Sequence, residues 1–312
     1  MGGAPDISVV LPTYQGVRHV EHSVRSVLSQ AGADFELIVC DDGSSDETLE
    51  RVRALADGRV RILENSHNRG LFPTLNRLLS EASADLAHLW SQDDVMLPGC
   101  LQRAIEFGRA HPDLPGFYSS FEIIDEHGGV IEPPNPNDHT PEVIDPDLAT
   151  RILFFHGSIS GNIANTVVRR SALEQLGTFR EDLRLSGDYE MWIRMTTQHS
   201  IGRILTPGVQ IRRHGGQLSR RGDSELQFVL ENQALHDMLL ARMPASHRRA
   251  AERHRVRGLG TQVFHAAVRR AIRGEMLTAG RLLSTLHARR ELTPVALAWA
   301  GGLPARIRRR VA

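Results

Sequence analysis

Two adjacent carboxylates, Asp93 and Asp94, close an apolar run in Leu89-Trp90-Ser91-Gln92-Asp93-Asp94. Neighbouring carboxylates at a strand end repel each other and lose solvation, so a compensating positive charge is expected, most commonly a divalent cation. A second pair, Asp41-Asp42, follows an earlier apolar run in the same way. Two acidic strand ends in one α/β domain suggest a site that handles a cation together with a phosphorylated ligand. The usual phosphate-cradling loops are missing: no GxGxxG follows the first strand and no GxxxxGK[ST] occurs. That argues against nicotinamide-dependent enzymes and P-loop NTPases. The chain has no lysine at all, which excludes mechanisms that need one.

The elements that must position these residues alternate. Residues 7–11 form an apolar run ended by Pro12, and Val17, Val20, Val24, Val27 and Leu28 then recur at helical spacing. Strands are expected at 35–40, 60–63 and 86–90. Helices are expected from about Ser45, over 70–82, and from Pro98 to about His111. The Ser44 and Glu47 spacing reads as a capping box. Strands alternating with such helices imply βαβ units, a mostly parallel sheet, and ligands at the carboxyl ends of its strands. Thr13-Tyr14, Asp41-Asp42, Asn68-Arg69 and Asp93-Asp94 all follow a predicted strand. Residues 125–147 read as a loop-rich excursion with five prolines, and 148–214 as mixed short elements.

The 312 residues can bury a full core. Two cysteines without paired spacing, Cys40 and Cys100, make a disulfide framework or zinc ribbon unlikely to be the organising device. The N-terminus does not read as a signal peptide, and no apolar run reaches the roughly 18 residues of a membrane span. The zero net charge hides an asymmetry. Residues 225–312 hold 16 arginines against 6 acids, and residues 1–224 hold 21 arginines against 31 acids. The expected organisation is a catalytic domain over 1–222, with halves at about 1–112 and 113–222, and an Arg-rich helical region over 223–312.

The order Val9-Val10-Leu11-Pro12-Thr13-Tyr14, Asp41-Asp42-Gly43-Ser44, Asn68-Arg69-Gly70 with Asn76, and Gln92-Asp93-Asp94 resembles glycosyltransferase family 2. Gly187-Asp188-Tyr189-Glu190-Met191-Trp192-Ile193-Arg194 and Arg213-His214-Gly215-Gly216 resemble its acceptor-side motifs, so the resemblance spans about residues 6–220. It implies a GT-A fold, a nucleotide-sugar donor, Mg²⁺ or Mn²⁺, and inversion at the anomeric carbon. Pro12, Thr13 and Tyr14 would border the nucleobase, although a strand-end turn explains them alone. Asp42 would accept hydrogen bonds from base or ribose, with Asp41 as its structural neighbour, unless Asp-Asp-Gly-Ser is only a turn. Arg69 would lie against base or diphosphate, or be a solvated loop arginine. Asp94 would ligate the metal directly, with Asp93 toward ribose or a metal-bound water. Many relatives carry a further Asp where this chain has Ser91.

By the same resemblance, Asp188 is the expected general base, with Glu190 second choice and a helix cap as the plain alternative. His214 would complete the metal or diphosphate site as the loop through Ser219 closes. The acceptor would be a glycan, a lipid-linked sugar or another hydroxyl compound, met by the 125–165 region. The Arg-rich tail could dock on an anionic membrane surface, bind a partner or second subunit, or be solvated. The scarcity of aromatic residues there argues against nucleic acid. The expected location is cytoplasmic or peripheral at the inner face of the plasma membrane. Competing functions are a non-catalytic nucleotide-sugar-binding subunit and a sugar nucleotidyltransferase.

Overall fold

Ile7–Thr13 (β1) and Phe35–Asp41 (β2) are buried almost throughout, as expected of parallel strands covered on both faces. The structure is a computed structural model that describes residues 3–135, 138–215 and 224–301. β3 (Val60–Glu64) and β4 (Leu86–Leu89) complete a parallel set in the order β3-β2-β1-β4. Between them run α1 (Val20–Leu28), α2 (Thr48–Leu55) and α3 (Leu71–Glu81). Val20, Val24 and Val27 of α1 face the sheet, where they join Val9, Leu11, Leu37 and Trp90 in one buried cluster.

The sheet continues through β5 (Val95–Met96), β6 (Gly116–Ile124), β9 (Thr166–Arg169) and β10 (Ile201–Arg212) in the order β4-β9-β6-β10-β5. β9 runs antiparallel to both β4 and β6, and β10 runs parallel to β6. Hence β1, β2, β3, β4, β6 and β10 all point the same way, and their carboxyl ends share one edge. Two short strands, β7 (Val130–Glu132) and β8 (Val143–Ile144), lie in the proline-rich excursion and pair with β6 and β10. The helices α4 (Cys100–Ala110), α5 (Pro146–His156), α6 (Arg170–Leu176) and α7 (Gly187–Met195) complete this part.

Two local expectations fail. The Ser44/Glu47 capping box does not form: α2 starts at Thr48 without a side-chain cap, and Ser44 instead gives both its N–H and its hydroxyl to Asp41. The carboxylate offers a stronger acceptor than a solvated cap. Pro98 precedes α4 rather than opening it, because Gly99 takes a left-handed conformation at φ 73° first.

The chain divides into two units, residues 1–152 with 157–217, and residues 153–156 with 218–312. The second unit is helical: α8 (Ser224–Arg242), α9 (Ala245–His254), a π-helical turn (Arg255–Gly260), α10 (Thr261–Ile272), α11 (Met276–Ala288) and α12 (Leu292–Gly301). Val263, Ala266, Ala267, Leu282, Leu286 and Val295 form its core. No helix among the described residues is long and apolar enough to cross a membrane.

Candidate active site

The strand register assembles the acidic cluster. Val95 and Met96 pair antiparallel with Gln210 and Val209, so the next step sets Asp94 opposite Ile211, one residue short of Arg212. The Arg212 backbone N–H donates to Asp94 Oδ1 at 2.8 Å. Its guanidinium donates Nε to the Asp93 carbonyl at 2.9 Å and a terminal nitrogen to the carbonyls of Asp125 and Glu126. Arg212 is itself buried. It therefore binds the acidic turn to the chain after β6 through a planar fork of donors.

Asp94 is 2% exposed. Burial pushes its carboxyl up to about 7; Asp93 adds to that rise, while the Arg212 N–H and the Ser91 hydroxyl oppose it. Asp93 is the more accessible of the two, and its Oδ2 lies 3.4 Å from His214 Nε2. His214 in turn faces the His19 ring at 5.3 Å between centroids. Burial and the Arg212 charge hold His19 below the usual imidazole range. Ser91, next in the same turn, supplies a hydroxyl to the Asp94 carboxyl.

The second acidic pair is divided by its partners. Asp41 accepts from Thr13 Oγ1 at 3.0 Å and from Ser44, which ties β1 to the turn. Asp42 accepts from Asn65 Nδ2, Arg69 N and Gly70 N at 2.7–2.9 Å, and so anchors the loop before α3. The Arg69 guanidinium is exposed and has no carboxylate partner among the described residues. Pro12 remains inside β1, opposite Cys40. The Gln92 side-chain amide donates to the Tyr14 carbonyl and accepts from the Tyr14 N–H at 3.0 and 2.9 Å. That leaves the Tyr14 ring at the surface, 38% exposed.

Asp188 lies in the first turn of α7. Burial pushes its carboxyl up to about 6, against the pull of the Tyr189 N–H and its own N–H. Its neighbour Gly187 has no room for a side chain: a Cβ there would stand 2.7 Å from the Phe72 ring. Phe72 is the second residue of α3, two places after the Gly70 held by Asp42. Asn76 on the same helix accepts from the Phe179 N–H and donates to its carbonyl, both at 2.9 Å, while Phe179 stacks on Phe72. Gly187, next to Asp188, thereby packs on α3, the helix that follows the loop held by Asp42. Among the described residues, no hydrogen bond or ion pair joins it to Asp93 or Asp94. Glu190 is buried and paired with Arg194 at 3.0 Å, and Arg194 also caps the end of α6. Trp192 and Met195 are fully buried in the core.

The residues at this edge match a known family. A model of glycosyl transferase family 2 fits residues 8–177. The chain belongs to glycosyltransferase family 2. It is 29% identical to the putative glycosyltransferase EpsE of Bacillus subtilis, over 62% of this chain and 68% of that protein. It is 31% identical to the Escherichia coli UDP-Glc:alpha-D-GlcNAc-diphosphoundecaprenol beta-1,3-glucosyltransferase WfgD, over 39% of this chain and 47% of that one. The S. aureus TarS 1-349 structure with UDP-GlcNAc superposes with a TM-score of 0.70 at 16% identity, over 96% of this chain and 92% of that one. The mannosyltransferase PcManGT from Pyrobaculum calidifontis, in complex with GDP-Man and Mn²⁺, gives a TM-score of 0.53 at 19% identity. At these identities the structural likeness speaks for the fold, and the family makes the protein a glycosyltransferase.

The donor chemistry at the carboxyl edge suits a hard divalent cation in this glycosyltransferase. Asp93 and His214 bring a carboxylate oxygen and an imidazole within 3.4 Å, with the buried Asp94 carboxyl next in sequence. Among the described residues no three acidic, histidine or cysteine side chains form a ready cage. Such ions commonly take one or two carboxylates and complete their shell with substrate phosphate and water. The sequence motifs assign no role to Arg212, His19 or Asn65, and do not say what Gln92 and Asn76 clamp. A charged residue ending a buried strand, as Arg212 does, was the one available signal that a partner must be nearby. The proposed closing loop falls on residues 216–219, outside the described residues.

Proposed function

We propose that this glycosyltransferase moves a sugar, with inversion, from a nucleoside-diphosphate donor to an acceptor hydroxyl in cell-envelope glycan synthesis. The observation that carries the reading is the Asp188 carboxyl, set in the first turn of α7 beside the Gly187–Phe72 contact and pushed up by burial to about 6. At neutral pH it is ionised yet basic, which suits a general base. It takes the acceptor proton as the acceptor oxygen attacks the anomeric carbon. The bond from that carbon to the diphosphate breaks on the opposite face, which inverts the configuration.

Pro12, Thr13, Tyr14 and Asp42 border the nucleoside, and the exposed Arg69 approaches base or diphosphate. Asp93 and Asp94 together, with His214, hold Mg²⁺ or Mn²⁺; the accessible Asp93 is a ligand candidate alongside Asp94. When bound, such an ion offsets the charge that develops on the leaving diphosphate. The PcManGT complex with GDP-Man and Mn²⁺ supports the metal, and the TarS complex supports a nucleotide-sugar donor. The diphosphoundecaprenol acceptor in the name of WfgD supports a lipid-linked acceptor, with work at the inner face of the plasma membrane.

The test is a panel of UDP- and GDP-sugars with Mn²⁺, read as transfer and as nucleoside-diphosphate binding. Asp188→Asn should lower transfer by about 10²–10⁴-fold while binding persists. Asp94→Ala should weaken the Mn²⁺-dependent part of binding. Undiminished transfer by Asp188→Asn, in a folded protein, would remove the base from this position.

A further inference from the structure

Most carboxylates of the helical unit are already engaged. Asp237 pairs with Arg289, Glu291 with Arg255 and Glu275 with Arg270. Arg249, Arg253 and Arg257 differ: all three are exposed, and none has an ion-pair partner among the described residues. They line one groove of about 940 Å³, whose facing wall is Pro294, Leu297 and Ala298 of α12. Leu297 is 70% exposed. Glu252 and Val256 also border the groove.

The backbone aligns this stripe. Residues four apart on an α-helix drift by about 40° around its axis, so three in succession would fan apart. Here Arg255–Gly260 is a π-helical turn. Its wider i→i+5 winding reverses the drift and returns Arg257 toward the column of Arg249 and Arg253. Gly260 ends the turn, and a Cβ on it would stand 2.5 Å from Val295 of α12. The glycine lets α12 approach, which brings its apolar residues opposite the arginines.

We infer that this groove is the surface by which the protein docks on an anionic lipid bilayer, with the three guanidinium groups on headgroup phosphates and Leu297 at the acyl boundary. Three exposed guanidiniums against one bordering carboxylate, Glu252, leave the groove net positive, and planar guanidinium matches phosphate. The adjoining apolar wall favours an amphiphilic surface over free phosphate or a purely acidic protein face. The chain's own last residues, 302–312, add four arginines and no acid, so they do not supply the counter-charge.

The experiment is co-sedimentation of the full chain with vesicles of phosphatidylcholine alone or with phosphatidylglycerol added, at low and high salt. The protein should bind only the anionic vesicles and be released by salt. Each basic residue strengthens such binding roughly five-fold, so replacing Arg249, Arg253 and Arg257 by Gln should weaken it about a hundred-fold. Leu297→Glu should weaken it too. A charge-matched control, with Arg25, Arg53 and Arg59 changed to Gln, should bind nearly as the parent does. Nucleoside-diphosphate binding should stay unchanged in every variant, which separates a failure of docking from a failure of the catalytic reading. If the triple variant does not fold, Arg253→Gln alone should still lower the salt dependence. Equal loss in the control, equal binding to neutral vesicles, or no binding by the parent overturns the inference. So does an altered oligomeric mass of the stripe variant with vesicle binding intact, which would assign the groove to a second copy of the chain.

Discussion

Ser91 shows how one side chain alters the balance at an acidic site. Its hydroxyl supports Asp94, whose carboxyl is buried and pushed up to about 7, with Asp93 adjoining. Ser91→Asp would remove that donor and add a third negative charge. The metal-free variant should lose about 1–3 kcal/mol of stability, the usual cost of leaving a buried polar group unsupported. Mn²⁺ should then raise its melting temperature more than it raises the parent's, because an ion that binds only the folded state shifts stability by mass action. A thermal-shift titration with and without Mn²⁺ checks both. Equal metal-free stability and equal Mn²⁺ shifts would mean that position 91 does not address the ion. Arg212 acts on the same turn from behind, by holding the backbone of Asp93 and the Asp94 carboxylate at once.

At the scale of elements, catalytic alignment depends on how α7 meets α3. Gly187 and Phe72 are in close contact, and Asn76 clamps Phe179 beside them. Gly187→Ala would press a methyl group into the Phe72 ring. Overpacking of this kind costs about 1–3 kcal/mol, and here it would also shift Asp188, the next residue of α7. Transfer should fall although no proposed ligand-contacting residue has changed. A second substitution, Phe72→Leu, makes room and should restore part of both stability and turnover. If the single variant transfers sugar at the parent's rate, the α7–α3 contact does not set the position of the base.

For the whole molecule, pH offers a further check. His88 lies in β4, is 1% exposed and bonds through Nε2 to the Ala164 carbonyl. Burial pushes it down to about 4, whereas an unfolded histidine titrates near 6.5. The unfolded chain therefore binds the extra proton first. The stability tied to neutral His88 is fully present above about pH 6.5 and is lost as pH falls toward 4. The difference corresponds to about 3 kcal/mol at most. Asp94 and Asp188 have raised values and act with the opposite sign, so the parent's profile alone mixes these effects. Comparison of denaturation midpoints for the parent and His88→Gln from pH 4 to 7.5 isolates the histidine. The variant should lose less stability on acidification, and parallel profiles would count against a neutral buried His88.

The sequence by itself determined which segments become parallel strands and which residues stand at their ends. Thr13, Asp42 and Asp94 follow runs such as Ile-Ser-Val-Val-Leu, where apolar patterning and local turn chemistry decide the outcome. Because parallel strands share one direction, the polar clusters had to gather at one edge. Tertiary structure decided what depends on distant pairing. The capping box at Ser44 was lost locally, to the Asp41 carboxylate three residues earlier, whereas other contacts needed remote partners. Asp94 meets Arg212, 118 positions away, because Val95 and Met96 pair with β10. Gly187, next to Asp188, meets the Phe72 ring of α3 from more than a hundred residues away in sequence, about the separation of Asn76 and Phe179. Local propensity encodes neither the Asp94–Arg212 nor the Gly187–Phe72 contact, since each becomes favourable only when the core has brought the separate elements together.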